Sequence, residues 1–217
     1  MLPDVKFCGI TRAEDALAGL DAGADYLGFV LAPSPRRVSV GQAVSIVTSV
    51  GGGRVPWVGV FTDADLGTIG PAVSTIGLDV VQLHVPVSAA FARDVTRETG
   101  ARVWCVGRVE NGQVLEIDED ADAAVEALLF DASKDGQSGG LGVRFNWNGA
   151  RPAIDRWRGR VRIAVAGGLT PDNVAEAVRA LSPDIVDVSS GVELAPGIKD
   201  HQRMREFVAA AHKEGQA

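Results

Sequence analysis

Eight short runs of apolar, often β-branched residues punctuate this chain: Val5–Cys8, Tyr26–Val30, Trp57–Phe61, Val80–Leu83, Arg102–Val106, Ala127–Asp131, Arg162–Ala166 and Ile185–Val188. They recur at intervals of roughly 20 to 35 residues, which leaves room for a return helix in each gap. Parallel strands require such a crossover, and strands covered on both faces read as continuous apolar runs, as Val58-Gly59-Val60-Phe61 does. Eight strands, each followed by a helix or a long connection, predict an α/β chain closed into a (β/α)8 barrel, the TIM-barrel architecture, rather than an open doubly wound sheet. The 217 residues suffice for one such barrel near its lower size limit. We therefore expect a single catalytic barrel domain over residues 1–217, with Gly51-Gly52-Gly53 as a loop within it.

The helix signals fit the alternation. Thr11-Arg12-Ala13-Glu14 reads as a capping box before Ala16–Leu20, and Ser39-Val40-Gly41-Gln42 as a second before Ala43–Val47. Thr170-Pro171 reads as an N-cap and first-turn proline before Val174–Leu181. Gly23 and Gly100 stop helices. A last helix, about His201–His212, carries Met204, Phe207, Val208 and Ala211 on one stripe. Two stretches are less regular: Asn111–Ala127 is acidic and ambiguous, and Asp131–Arg144 looks like a long Gly-rich loop.

Composition narrows the functional classes. A hydrophobic fraction of 46%, a charged fraction of 23% and a net charge of -7 describe an ordinary soluble chain. No basic stripe interleaved with aromatics is present, which argues against a nucleic-acid partner. No apolar run reaches membrane-spanning length, and no basic leader precedes an apolar stretch at the N-terminus. Two cysteines without an export signal point to the reducing cytoplasm.

Barrel enzymes keep their chemistry on the loops that follow the strands. Cys8 ends the first strand, ahead of Gly9. Asp131 ends the sixth, after Leu128-Leu129-Phe130, where desolvation is expected to raise a carboxyl pKa toward the range of a general acid. Arg36 follows the second strand in a proline-stiffened loop and suits a carboxylate clamp. His84 ends the fourth, placed to bind ligand or shuttle a proton. Gly167 and Gly168 follow the seventh strand; Ser189, Ser190 and Gly191 follow the eighth. Paired glycine loops at those two positions are the fold's usual phosphate seat. No metal-ligand spacing, P-loop or dinucleotide fingerprint is found. Cys105, within the fifth strand, reads as core.

Several segments together resemble the phosphoribosylanthranilate isomerases of tryptophan biosynthesis: Lys6-Phe7-Cys8-Gly9-Ile10-Thr11, Ser34-Pro35-Arg36, Val81-Gln82-Leu83-His84, Ala166 to Val174, Asp187 to Glu193, and Pro196-Gly197-Ile198-Lys199-Asp200. The resemblance spans nearly the whole chain, in the family's order. It implies an Amadori rearrangement of N-(5-phosphoribosyl)anthranilate without metal or cofactor. It further implies Asp131 as general acid, Cys8 as general base, Arg36 as clamp for the anthranilate carboxylate, and Gly168, Ser189, Ser190 and Gly191 as parts of the phosphate seat. It implies a monomer or homodimer. The chain departs from the family pattern at Val85-Pro86, at Leu141, where a hydroxyl residue is usual, and at Asn146, where an aspartate is frequent. Two other readings of the residues stay open: a paralogous barrel isomerase acting on another aminoaldose phosphate, with Arg36 and Leu141 deciding the fit, and a non-catalytic phosphate-ligand binder. What lowers the pKa of Cys8, as a thiolate base would require, is not visible in the sequence.

Overall fold

A computed structural model describes residues 2–213 of the protein apart from 111, 112, 116, 119, 135, 136 and 139–145. Among the described residues, eight parallel strands form a closed ring: β1 (Asp4–Cys8), β2 (Tyr26–Val30), β3 (Trp57–Phe61), β4 (Val80–Leu83), β5 (Arg102–Glu110), β6 (Ala127–Lys134), β7 (Arg162–Val165) and β8 (Ile185–Val188). Each pairs with the next, and β8 pairs back with β1 through Asp4↔Ile185 to Phe7↔Val188. The predicted strands match within a residue or so, except that β5 and β6 run several residues further. Helices α1 (Ala13–Ala22), α2 (Val40–Val50), α3 (Leu66–Ile76) and α4 (Ala89–Thr99) follow β1 to β4. Helices α5 (Trp147–Asp155), α6 (Val174–Leu181) and α7 (His201–Lys213) follow β6 to β8.

The gap after β5 lacks an α-helix among its described residues. Gln113–Leu115 turns back antiparallel on the extended end of β5, and a short 3-10 turn, Ala121–Ala123, leads into β6. The described part of the ambiguous acidic stretch is thus an antiparallel strand and a 3-10 turn. The predicted loop after Asp131 also begins as strand: β6 continues to Lys134 and pairs with Gln137–Ser138. Leu141 lies outside the described residues.

Two predicted caps are corrected. Helix α1 begins after Arg12, which makes no side-chain cap, and the Thr11 hydroxyl donates instead to the Gly197 carbonyl across the barrel mouth. Helix α6 begins after Asn173, not Thr170, because Asn173 Oδ1 accepts from Thr170 N and its Nδ2 donates to Gly168 O. That turn braces the loop after β7, so Thr170 and Pro171 precede the helix. The Ser39–Gln42 box forms as expected, and Gly23 and Gly100 end their helices in the left-handed conformation.

The two-residue period of a strand explains how the interior is filled. Val5, Phe7, Leu27, Phe29, Leu128 and Phe130 face outward, toward the helices, in the main core. Tyr26, Val58, Trp104, Leu129, Ala164 and Ile185 face inward in a second buried cluster. The end where the strands start is closed by Tyr26 packed edge-on to Trp104 at 4.9 Å, by Trp104 Nε1 donating to Glu126 at 2.8 Å, and by Arg162 joining Tyr26 Oη and Asp4. Three aspartates just before strands seal the same end. Asp25, Asp79 and Asp184 accept from the backbone N–H groups of Val5, Trp57 and Ile163 on the preceding strands. With that end plugged, ligand has access only where the strands finish.

Trp104 is fully buried at the centre of the plug. Trp104→Ala leaves a cavity and takes from Glu126 one of its two partners, Arg102 being the other, and should cost about 3–5 kcal/mol of stability. Urea unfolding of the two proteins checks this; a loss below about 1 kcal/mol would show that the plug does not depend on the indole.

Candidate active site

The inward side chains change character near the strand ends. Lys6 and Cys8 alternate with outward Val5 and Phe7, so both point into the barrel, and Asp187 does the same on β8. Lys6 is completely buried, and its ammonium donates to Asp187 at 2.9 Å, one inward position before Cys8. Burial works against the Lys6 charge, but Asp187 and then Cys8 more than offset it, so its pKa lies above the ordinary value. For Cys8, burial pushes the thiol up. Lys6 and Lys199 pull it down and Asp187 opposes them; the result stays above the ordinary thiol value. The groups that would lower the pKa are therefore present, but burial prevails over them.

A second ionic cluster sits beside Cys8. Lys199, also buried, donates to the Cys8 carbonyl at 2.7 Å, to Glu193 at 2.8 Å and to Ser189 O at 3.2 Å. Burial lowers its pKa despite Glu193. Glu193 accepts from Arg36 in a two-pronged pair, Nε at 2.9 Å and Nη2 at 2.8 Å. Burial acts against the Glu193 charge, yet the bonds from Arg36 and Lys199 hold its pKa below the ordinary value. Arg36 is thus not a free guanidinium waiting for a carboxylate: one edge is spent on Glu193, and Nη1 has no partner among the described residues. Its stem lies over Gly9, where an added Cβ would fall 2.7 Å from Arg36 Cδ and 3.0 Å from Ser189 Oγ.

Asp131, 4% exposed, ends the apolar part of β6 and is the register partner of Arg108 on β5. Counted round the ring, β6 lies three strands from β1, so Asp131 and Cys8 approach the mouth from different sides. His84 follows β4 with its ring against Gln82 Nε2. Burial, with Lys6 and Arg108 nearby, drives its pKa down to about 3. A ring held neutral near pH 7 suits contact with a ligand better than carrying a proton.

The two glycine loops meet. Gly167 and Gly168 both have positive φ, at 85° and 62°, which suits glycine. Gly191 packs so tightly against the β7 loop that a Cβ there would sit 1.8 Å from the Leu169 carbonyl oxygen. Ser190 and Gly191 therefore stand against Gly168–Thr170, while Ser189 turns toward Gly9 and Lys199. Cys105 faces outward into the main core with its pKa pushed up by burial to about 12, an inert thiol. Among the described residues, no group of three or more His, Cys, Asp or Glu side chains is placed to hold a metal ion.

Reading the sequence for strand ends missed Lys6, Asp187, Lys199, Glu193 and Gln82 as site-lining groups. A signal was available: Lys6, Gln82 and Asp187 are polar residues at inward phases of otherwise apolar strands, two residues before Cys8, His84 and Ser189.

A family model described as N-(5'phosphoribosyl)anthranilate (PRA) isomerase matches residues 5–210. The N-(5'-phosphoribosyl)anthranilate isomerase of Geobacter sp. (strain M21) is 45% identical over 210 residues, covering 96% of this chain and 98% of the relative. The crystal structure of phosphoribosyl anthranilate isomerase from Thermus thermophilus superimposes with a TM-score of 0.81 at 35% identity, covering 95% of this chain and 97% of that one. Another, of such an isomerase in complex with reduced 1-(o-carboxyphenylamino)-1-deoxyribulose 5-phosphate, gives 0.78 at 33% identity, covering 97% and 98%.

Two outcomes follow from the geometry. Gly191→Ala must push the two loops apart, and should weaken binding of a sugar phosphate at least about tenfold in a calorimetric titration; unchanged affinity would place the anion elsewhere. From the ordinary imidazole value of 6.5 down to about 3, the unfolded chain takes up a proton at His84 that the folded chain refuses, so stability falls as pH falls through that window. His84→Asn should flatten that decline in urea unfolding compared at pH 6.5 and about pH 4.5, and identical slopes would mean that His84 is not held neutral.

Proposed function

The chain belongs to the N-(5'-phosphoribosyl)anthranilate isomerase family, and on that premise we propose how the mouth of its barrel performs the reaction. It is an isomerase of tryptophan biosynthesis, converting N-(5-phosphoribosyl)anthranilate to 1-(2-carboxyphenylamino)-1-deoxyribulose 5-phosphate by an Amadori rearrangement. The observation that carries the assignment of roles is that Cys8 and Asp131 are both buried, Cys8 at the end of β1 and Asp131 at the end of the apolar part of β6, on different sides of one mouth.

Asp131 acts as general acid, protonating the ribose ring oxygen as the bond from C1 to that oxygen breaks and the anilino nitrogen lone pair forms the iminium. Cys8, as thiolate, takes the proton from C2; the C–H electron pair becomes the C1–C2 double bond and neutralises the iminium nitrogen. The enolamine then tautomerises to the ketone. Acid and base on separate strands can reach separate faces of the sugar. The backbone of Gly167, Gly168, Ser190 and Gly191, with Ser189, seats the phosphate. The open Nη1 edge of Arg36 takes the anthranilate carboxylate, while Glu193 keeps the guanidinium oriented. His84 contacts substrate as a neutral ring. Anions held at both ends spend remote binding energy on placing C1 and C2 between the two catalytic groups. Residues 1–217 act as one catalytic domain, a monomer or homodimer, in the cytoplasm, with no nucleic-acid or membrane partner.

The fluorescence decay of freshly made phosphoribosylanthranilate tests this. Wild type should consume it rapidly, while Cys8→Ala and Asp131→Ala should each lose about 10²–10⁴-fold in kcat and still bind a reduced product analogue. A folded Cys8→Ala or Asp131→Ala enzyme with near wild-type turnover would remove that residue from the mechanism.

A further inference from the structure

Lys6 is a buried ammonium that the mechanism above does not use. It lies two residues before Cys8 on the same inward face of β1, and its only carboxylate partner among the described residues is Asp187, at 2.9 Å on the adjacent strand. Across the other edge of β1, Cys8 is in register with Gly28 of β2. A Cβ built on Gly28 would fall 3.2 Å from Lys6 Cε, 3.3 Å from Lys6 Nζ and 3.4 Å from Cys8 Cα. The missing side chain at position 28 therefore leaves the space in which the Lys6 head group sits beside Cys8.

We propose that Lys6 is a positioning residue for Cys8: Asp187 on one side and the gap at Gly28 on the other hold its ammonium against the sulfur, so that the negative charge formed on Cys8 has a fixed counterion. This rests on Cys8 being the base. Charge near the sulfur comes from every element packed on it. Lys6 is on β1, Asp187 on β8, Arg36 on the loop after β2, and Lys199 and Glu193 on the segment after β8; His84, after β4, faces Lys6 and is neutral. Lys199 is committed to the Cys8 carbonyl and to Glu193, and Arg36 to Glu193. Lys6 is the cation whose head group shares the space at Gly28 with Cys8, and its one carboxylate anchor is Asp187. Asp187, which opposes the thiolate by its charge, also anchors the lysine that supports it. The Lys6 proton stays on nitrogen throughout.

The experiment reads the thiol directly. The rate of Cys8 alkylation by iodoacetamide is followed against pH by peptide mass spectrometry in wild type, Lys6→Met and Gly28→Ala, with Cys105, which faces the helices and not the barrel mouth, as internal control for unfolding. The alkylation profile of Lys6→Met should move at least about one unit to higher pH, which is tenfold slower alkylation at a fixed pH below the inflection, and kcat should fall with KM nearly unchanged. Gly28→Ala keeps every charge but pushes the ammonium aside, and should shift the profile in the same direction by a smaller amount. A folded Lys6→Met protein whose Cys8 profile coincides with wild type, or lies lower in pH, overturns the proposal. If Lys6→Met does not fold, Gly28→Ala decides by the same criterion. Failure of the premise is distinguishable: Cys8→Ala would then retain turnover, whereas failure of the proposal leaves Cys8→Ala inactive and the alkylation profiles superimposed.

Discussion

Closing the ring between β1 and β8 sets Lys6 opposite Asp187, and the site is organised around that buried pair. A closed sheet has no edge, and every second side chain must fill its interior. Near the start of the strands, Tyr26, Trp104 and their neighbours do this with apolar volume and a satisfied hydrogen-bonding rim. Near their ends, the interior carries charge. Two buried ions are costly to desolvate, and removing either leaves the other uncompensated at a cost of about 3–5 kcal/mol. Such a pair is weak support for stability in itself. Its consequence lies in what it fixes: an ammonium directly beneath the thiol of Cys8.

A second set of contacts holds the lid of the site to its walls. Asp15, buried on α1, accepts from the Arg12 side chain at 2.7 Å, from Lys199 N at 3.2 Å, and contacts His201 at 2.8 Å. The segment after β8 is thereby pinned to the helix after β1. From that segment, Lys199 reaches the carbonyl of Cys8 and Glu193 reaches Arg36. One carboxylate on an outer helix thus helps place Arg36 through Glu193, and the Thr11 hydroxyl joins the same junction through Gly197. Residues distant in sequence share one job because the first and last βα units are neighbours in a closed ring.

The strands were legible because they are buried on both faces, and continuous apolar runs at such regular intervals suit a ring of parallel strands and little else. The glycine loops after β7 and β8 were legible because the fold places anions there. Helix starts were less so. Thr11 and Thr170 carry the right local chemistry, but Thr11 found a better partner across the mouth and Asn173 took over the bracing of its own turn. After β5, where a helix or a long connection was open, the described residues hold no α-helix: the strand extends and pairs with Gln113–Leu115 among acidic residues without a strong apolar stripe.

Sequence alone determined the order of elements and the closed barrel they make, and placed Cys8, Arg36, His84 and Asp131 on or after the strands at its mouth, since these follow from local pattern and spacing; the family followed from the resemblance of its motifs. Only the tertiary structure decided the electrical state of those residues. Whether Arg36 is free or paired, whether His84 can carry a proton, and which cations face Cys8 depend on groups up to 181 positions apart, as Lys6 and Asp187 are. Burial and charge act through space at a few ångströms, and no spacing along the chain records which side chains the closing of the ring will bring to that distance.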